Sequence, residues 1–157
     1  MNPQQSAYID VMYIPGITVH GMTRARLEWK LDNTITLTTA EGTPEQPIYK
    51  EIMNVPVSDI KKVKSVIDEI KIVTPKASYR MSVAQYSTPA IAGGGVAGTA
   101  VSYGMYKKSG ADKWLQRFKD NGVAVSRLGF GAFIGIALAG AAVVIAIALG
   151  IFLLTHN

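Results

Sequence analysis

The chain has 157 residues, with 16 Lys and Arg against 11 Asp and Glu, and it contains no cysteine. The absence of cysteine excludes disulfides and Cys-based zinc or iron–sulfur sites. Beside a membrane segment, this length leaves room for one small domain. The opening residues have neither the basic nor the apolar region of a secretory signal, so no cleaved signal is predicted.

The N-terminal half has the pattern of β-strands. Residues 1–7 are predicted to be a flexible leader. From Tyr8 onward, apolar and polar residues alternate with period two, as half-buried strands require. Asp32-Asn33 falls between the alternating segments RARLEWKL and TITLTT and is predicted to be a hairpin turn.

Further short strands are predicted up to residue 86, after a polar loop at 40–47. The segment 58–67 fits either a strand or a helical stripe, and we favour the strand. Six or seven strands in about 80 residues indicate an antiparallel sandwich or a small barrel. Residues 8–86 are therefore predicted to form one β-rich domain.

Residues 87–110 are rich in Gly and Ala, and residues 88–106 carry no charge. Three interpretations stay open: a flexible loop, a weak first membrane span, and a segment packed on the domain or a partner.

A short amphipathic helix is predicted over 111–122. Its apolar stripe consists of Trp114, Leu115 and Phe118. Ser109 and Asp112 have capping-box spacing before it, and Asn121-Gly122 is typical of a helix end.

These elements resemble those of PH-like (bacterial PH or GRAM-like) domains. The matching residues are Val55-Pro56-Val57-Ser58-Asp59-Ile60, Ile70-Lys71-Ile72 and Trp114-Leu115, within residues 8–121. The resemblance implies an α+β, mainly antiparallel fold, a small partly open barrel or sandwich closed by the C-terminal helix. It also implies binding of lipid headgroups or proteins and no catalysis.

Residues 128–154 contain no charged residue and exceed the about 20 apolar residues that a helix needs to cross a bilayer. A single transmembrane helix is therefore predicted to follow the domain. Six basic residues lie close before it and are predicted to face the membrane surface: Lys107, Lys108, Lys113, Arg117, Lys119 and Arg127. By the positive-inside rule, the N-terminal domain is then cytoplasmic.

Small residues at four-residue spacing within this segment predict close helix–helix packing. They are Gly131, Gly135, Ala139, Ala142, Ala146 and Gly150.

No catalytic motif and no histidine–carboxylate cluster is found, so neither an enzyme nor a metal or cofactor site is predicted. The sequence predicts a membrane-anchored binding or scaffold protein, an accessory component of a membrane protein assembly. Its expected partners are membrane lipid and a protein partner or second copy that packs on the transmembrane helix, with no role for nucleic acid. The alternatives are a lipid-headgroup sensor and a small two-span transport or pore subunit.

Overall fold

The computed structural model describes residues 6–16, 21–43, 46–83, 104–128 and 130–155. The chain divides into two compact units, Met1–Arg127 and Leu128–Asn157. The first unit is built on an open β-sheet with a short helix. The second consists of one long helix.

The elements follow one another in a mainly β order. The strands are β1 (Ala7–Ile14), β2 (Thr23–Trp29), β3 (Thr34–Thr43), β4 (Gln46–Pro56), β5 (Lys62–Val66), β6 (Glu69–Val73), β7 (Ser78–Ser82) and β8 (Ala124–Leu128). A 3-10 helix spans Val57–Asp59, and the α-helices are α1 (Ala111–Asp120) and α2 (Phe130–Thr155). Residues 104–109 are also helical.

The eight strands form one sheet in the order β4-β3-β2-β1-β7-β6-β5-β8. Two meanders, β1–β4 and β5–β7, are joined where β1 pairs antiparallel with β7. The sheet is open and mixed, so the predicted antiparallel barrel or sandwich is wrong. The prediction missed β8, because its short alternating pattern in 124–128 runs directly into the apolar segment.

The β2–β3 turn shows how the sequence sets local structure. Asn33 has a φ of +63°, which Asn tolerates better than most residues. Its backbone N–H donates to the carbonyl of Lys30 at 3.2 Å, and its carbonyl accepts from Val57 N–H at 3.0 Å. The predicted turn at 32–33 is confirmed within a slightly longer loop.

Helix α1 covers the buried face of the sheet through aromatic side chains. The Trp29 ring centroid lies 5.0 Å from that of Phe118 and 6.0 Å from that of Trp114. Phe118 is fully buried, and Trp114 is only 3% exposed. The prediction that this stripe packs in the core is confirmed.

The two ends of α1 differ in how well the sequence predicts them. Gly110 precedes the helix with a φ of +79° and makes no side-chain cap bond. Ser109 Oγ instead accepts from Ala111 N–H at 3.2 Å, and Asp112 pairs with two cations described below, so the capping box does not form. At the C-terminal end, Gly122 is left-handed and its N–H donates to Lys119 at 2.9 Å, as predicted.

Helix α2 is the second unit, and each of its side chains that the structure describes is exposed. Among the described residues, no helix has the combined length and hydropathy that crossing a bilayer requires. The predictions of a transmembrane helix over 128–154, of a single-pass membrane protein and of a cytoplasmic placement derived from it are therefore corrected. Leu128 belongs to β8, so the helix begins at Phe130, two residues later than predicted.

Candidate functional site

Strands β3 and β4 continue beyond the rest of the sheet as a two-stranded ribbon. Pairing of β2 with β3 stops at Ala25–Thr39, whereas pairing of β3 with β4 continues to Thr43–Gln46. All described residues of this ribbon, 40–43 and 46–50, are exposed. An isolated two-stranded ribbon is at best marginally stable in water. Because the ribbon's residues are exposed, burial of its side chains does not explain why both strands extend beyond the sheet.

The ribbon carries two large apolar side chains. Ile48 is 65% exposed and Tyr49 is 70% exposed. Because neighbouring residues of a strand point to opposite faces, the two side chains lie on opposite faces of the ribbon. Strand β4 is also the edge of the sheet, so its outer side offers backbone donors and acceptors that no strand of the sheet pairs.

A glycine fixes the tip of the ribbon. Gly42 has a φ of +88°, a region that side chains disfavour. A Cβ atom added there would lie 2.6 Å from the carbonyl oxygen of Gln46. Nearby, Gln46 N–H donates to Thr43 Oγ1 at 3.2 Å. The tip therefore depends on glycine both for its backbone conformation and for space.

A groove of about 460 Å³ lies beside the ribbon, on the outer face of β1–β4. Tyr49 lines it together with charged residues of both signs: Asp10, Arg24, Arg26 and Glu28. Arg26 Nε donates to Asp10 Oδ1 at 2.9 Å, and its guanidinium carbon lies 4.2 Å from the Tyr8 ring centroid. The hydrogen bond to Asp10 raises the pKa of Arg26.

The groove has two acidic and two basic side chains in its lining. Its charges balance, and its best-positioned cation is already paired with Asp10. Within the described part of the chain, no group of three or more His, Asp or Glu side chains could hold a metal ion.

Three of the six predicted membrane-surface cations take part in contacts within the first unit. Lys107 Nζ and Arg127 Nη1 lie 2.8 Å and 2.7 Å from the two carboxylate oxygens of Asp112. The Arg117 guanidinium carbon lies 4.4 Å from the ring centroid of Trp29. Lys108, Lys113 and Lys119 are exposed. A surface role for these six residues stays a prediction, and α1 presents fewer free cations than the sequence suggests.

The Asp112 ion pairs lie close to a buried tyrosine, which the interpretation of 88–106 as a weak span would place at the membrane interface. Tyr106 is fully buried, and burial raises its pKa to about 12 although the Ser65 hydroxyl acts in the opposite direction. The Arg127 guanidinium carbon lies 4.9 Å from its ring centroid. Tyr106 falls in the segment 87–110 that had three open interpretations. Of that segment, residues 87–103 lie outside the described residues.

Five of the six predicted helix-packing residues have described side-chain surroundings. Gly131, Gly135, Ala139, Ala142 and Ala146 are exposed, and the side-chain surroundings of Gly150 lie outside the description. A Cβ atom added at Gly131 or Gly135 would meet no atom within 4 Å. Their role in helix association stays a prediction.

Comparison with known proteins identifies no relative. No protein-family model matches the chain, and no curated protein or solved structure matches it either. The resemblance to PH-like domains therefore stays a prediction.

Proposed function

We propose that this chain is a non-catalytic binding module that recognises an extended segment of a partner protein at β4 and the groove beside it. The observation that carries the proposal is the exposed ribbon, with Ile48 and Tyr49 exposed on an edge strand. In this function the chain is an accessory or scaffold component of a protein assembly.

The ribbon fits strand addition, in which a peptide pairs with a sheet edge. Main-chain hydrogen bonds to the edge supply affinity, and alternate side chains of the peptide enter pockets on one face. Tyr49 lines the groove. Every second side chain of a strand added outside β4 would therefore lie on the same face of the sheet as the groove. Proteins that do not use a sheet edge in this way often protect it with a bulge, a proline or a charge.

The bulge of β4 lies where it would leave the ribbon accessible. The register between β3 and β4 shifts at Leu37/Thr38, within the sheet and before the ribbon begins. Lys50 and Glu51 follow Tyr49, whereas Ile48 precedes it and carries no charge. Within the ribbon, Pro47 and Lys50 also lie on this edge, so Gln46, Ile48 and Tyr49 are its positions with neither a charge nor a proline.

The test places a photo-crosslinking amino acid at Tyr49 in the full chain, expressed in its native cells. We expect a defined crosslinked partner polypeptide at this position and none when the same amino acid replaces Lys76, an exposed residue of the β6–β7 turn. Adding Ile48→Lys should abolish the crosslink, because a lysine on an edge strand opposes strand addition. Gly42→Ala should weaken it through distortion of the tip.

Three outcomes would contradict the proposal. The first is no crosslink from Tyr49, and the second is an equal crosslink from Lys76. The third is a Tyr49 crosslink that Ile48→Lys leaves unchanged, because contact would then not depend on the edge. A crosslink only to a second copy of this chain would replace the partner protein with self-association.

A further inference from the structure

A row of cations crosses the other meander on its outer face. Lys64 of β5 lies directly opposite Lys71 of β6, and Lys71 lies directly opposite Arg80 of β7. Lys62 follows on the same face of β5, since side chains two residues apart share a face. Neighbouring strands are about 4.8 Å apart, so the row concentrates positive charge in a small area.

Glu69, which shares a face of β6 with Lys71, has both carboxylate oxygens paired with Arg80. Arg80 Nε lies 2.9 Å from Glu69 Oε1, and Arg80 Nη2 lies 2.7 Å from Glu69 Oε2. Arg80 Nη1 also donates to the Gly16 carbonyl at 3.0 Å. Asp68, in the β5–β6 turn, accepts a bond of 2.6 Å from Ser82 Oγ. Among the described residues, no carboxylate pairs with Lys62, Lys64 or Lys71.

Two lysines directly opposite each other reduce the stability of the sheet. Like charges at directly paired positions repel, and the cost is of the same order as the gain from an opposite pair. The fold therefore contains an unfavourable arrangement that a bound anion would relieve. Lys62 and Lys64 are exposed and Lys71 is partly exposed, so a ligand can reach all three.

The shape of the face indicates the kind of anion. Lys62 and Lys64 are two residues apart on β5, and Lys71 faces Lys64 from β6. On an extended strand, side chains two residues apart are separated by about 6.6–6.8 Å. An extended acidic segment with a carboxylate at every second residue repeats at the same distance, so successive carboxylates would meet Lys62 and Lys64.

We propose that Lys62, Lys64 and Lys71 form a docking surface for an acidic segment of a partner protein in extended conformation. This surface lies on β5 and β6, whereas the ribbon lies on β3 and β4. The inference goes beyond the proposed function and does not depend on it, because charge complementarity alone carries it.

The first measurement is binding of a labelled peptide of alternating Glu and Thr residues to the full chain at low salt. Each lysine should contribute about two- to fivefold in affinity, so Lys64→Glu/Lys71→Glu should weaken binding about 4- to 25-fold. The matched control is Lys108→Glu/Lys113→Glu, which makes the same charge change at exposed positions outside the row and should bind within about twofold of the parent. A peptide with Gln in place of Glu should not bind.

The second measurement separates a binding surface from a purely structural one. Lys71→Glu alone converts a repelling cross-strand pair into an attracting one, so its melting temperature should rise by about 1–4 °C while peptide affinity falls. Higher stability with weaker binding cannot result from unfolding.

The outcomes that overturn the proposal are distinct from failure of the ribbon. Equal loss of peptide binding in both double variants would show that only net charge matters. Binding to phosphatidylserine–phosphatidylcholine vesicles through these lysines, without peptide binding, would replace the acidic segment with a lipid surface. The peptide assay reports on β5 and β6 and the Tyr49 crosslink reports on β4, so the two proposals can fail independently.

Discussion

Asn33 allows a single turn residue to be tested for two separate contributions to stability. Its side-chain Oδ1 accepts a hydrogen bond from Trp29 Nε1 at 2.8 Å, and Trp29 is only 1% exposed. The backbone at Asn33 is left-handed, with a φ of +63°. One substitution can remove the acceptor and keep the backbone relaxed, and another can remove the acceptor and strain the backbone.

The expected magnitudes follow from these two contributions. Asn33→Gly leaves the buried indole N–H without its acceptor, which costs about 1–3 kcal/mol, while glycine accepts the positive φ. Asn33→Ala loses the same bond and adds about 1–2 kcal/mol because a Cβ atom disfavours this conformation. Asn33→Asp keeps an acceptor oxygen and tolerates the φ, so it should be the least destabilised variant.

Urea unfolding followed by tryptophan fluorescence measures this order directly, because Trp29 and Trp114 are the only two tryptophans in the chain. We expect stability to decrease in the order parent, Asn33→Asp, Asn33→Gly, Asn33→Ala. If Asn33→Gly unfolded at the same urea concentration as the parent, the Trp29–Asn33 bond would contribute nothing. If Asn33→Ala matched Asn33→Gly, the backbone argument would be wrong.

Three further predictions concern the core and the cluster around Asp112. Trp114→Ala should lower the free energy of unfolding by about 3–5 kcal/mol, as measured by urea unfolding, and a parent-like midpoint would place Trp114 outside the core. Burial raises the pKa of Tyr106 to about 12, above its value in the unfolded chain. The free energy of unfolding of the parent should therefore fall as the pH rises from about 10 to about 12. Urea unfolding of Tyr106→Phe at the same pH values should not show this loss. Burial opposes ionisation of Asp112, but hydrogen bonds from Lys107 and Tyr106 lower its pKa overall. Asp112→Asn should therefore lower the free energy of unfolding by about 1 kcal/mol at neutral pH, after allowance for solvent screening. This cost should decrease as acid protonates the parent carboxyl, and a cost independent of pH would contradict the prediction.

The sequence predicts the elements whose signals are local. Alternation from Tyr8 predicts β1, and the Asp32-Asn33 pair predicts the turn that joins β2 to β3. The stripe of Trp114, Leu115 and Phe118 predicts both α1 and the face that it buries. Each of these signals lies within about ten residues, where strand and helix periods act directly.

The rest depends on contacts between distant segments. Nothing local in 124–128 shows that this segment pairs beside β5, so the open, mixed sheet was missed. Asp112 has the spacing of a helix cap, but its carboxylate pairs with Lys107 and Arg127, and Arg127 comes from another element. The cross-strand row of Lys64 and Lys71 is likewise visible only once the register of β5 and β6 is known.

The pairing of β1 with β7 has a consequence for how the chain folds. Within each meander, strands pair with neighbours close in sequence, whereas Met12 pairs with Ser82, about 70 residues away. Hairpins form in microseconds, but closing so long a loop carries an entropic cost before any contact compensates for it. The two meanders should therefore form early and separately, and the rate of folding should be set by the step that joins them.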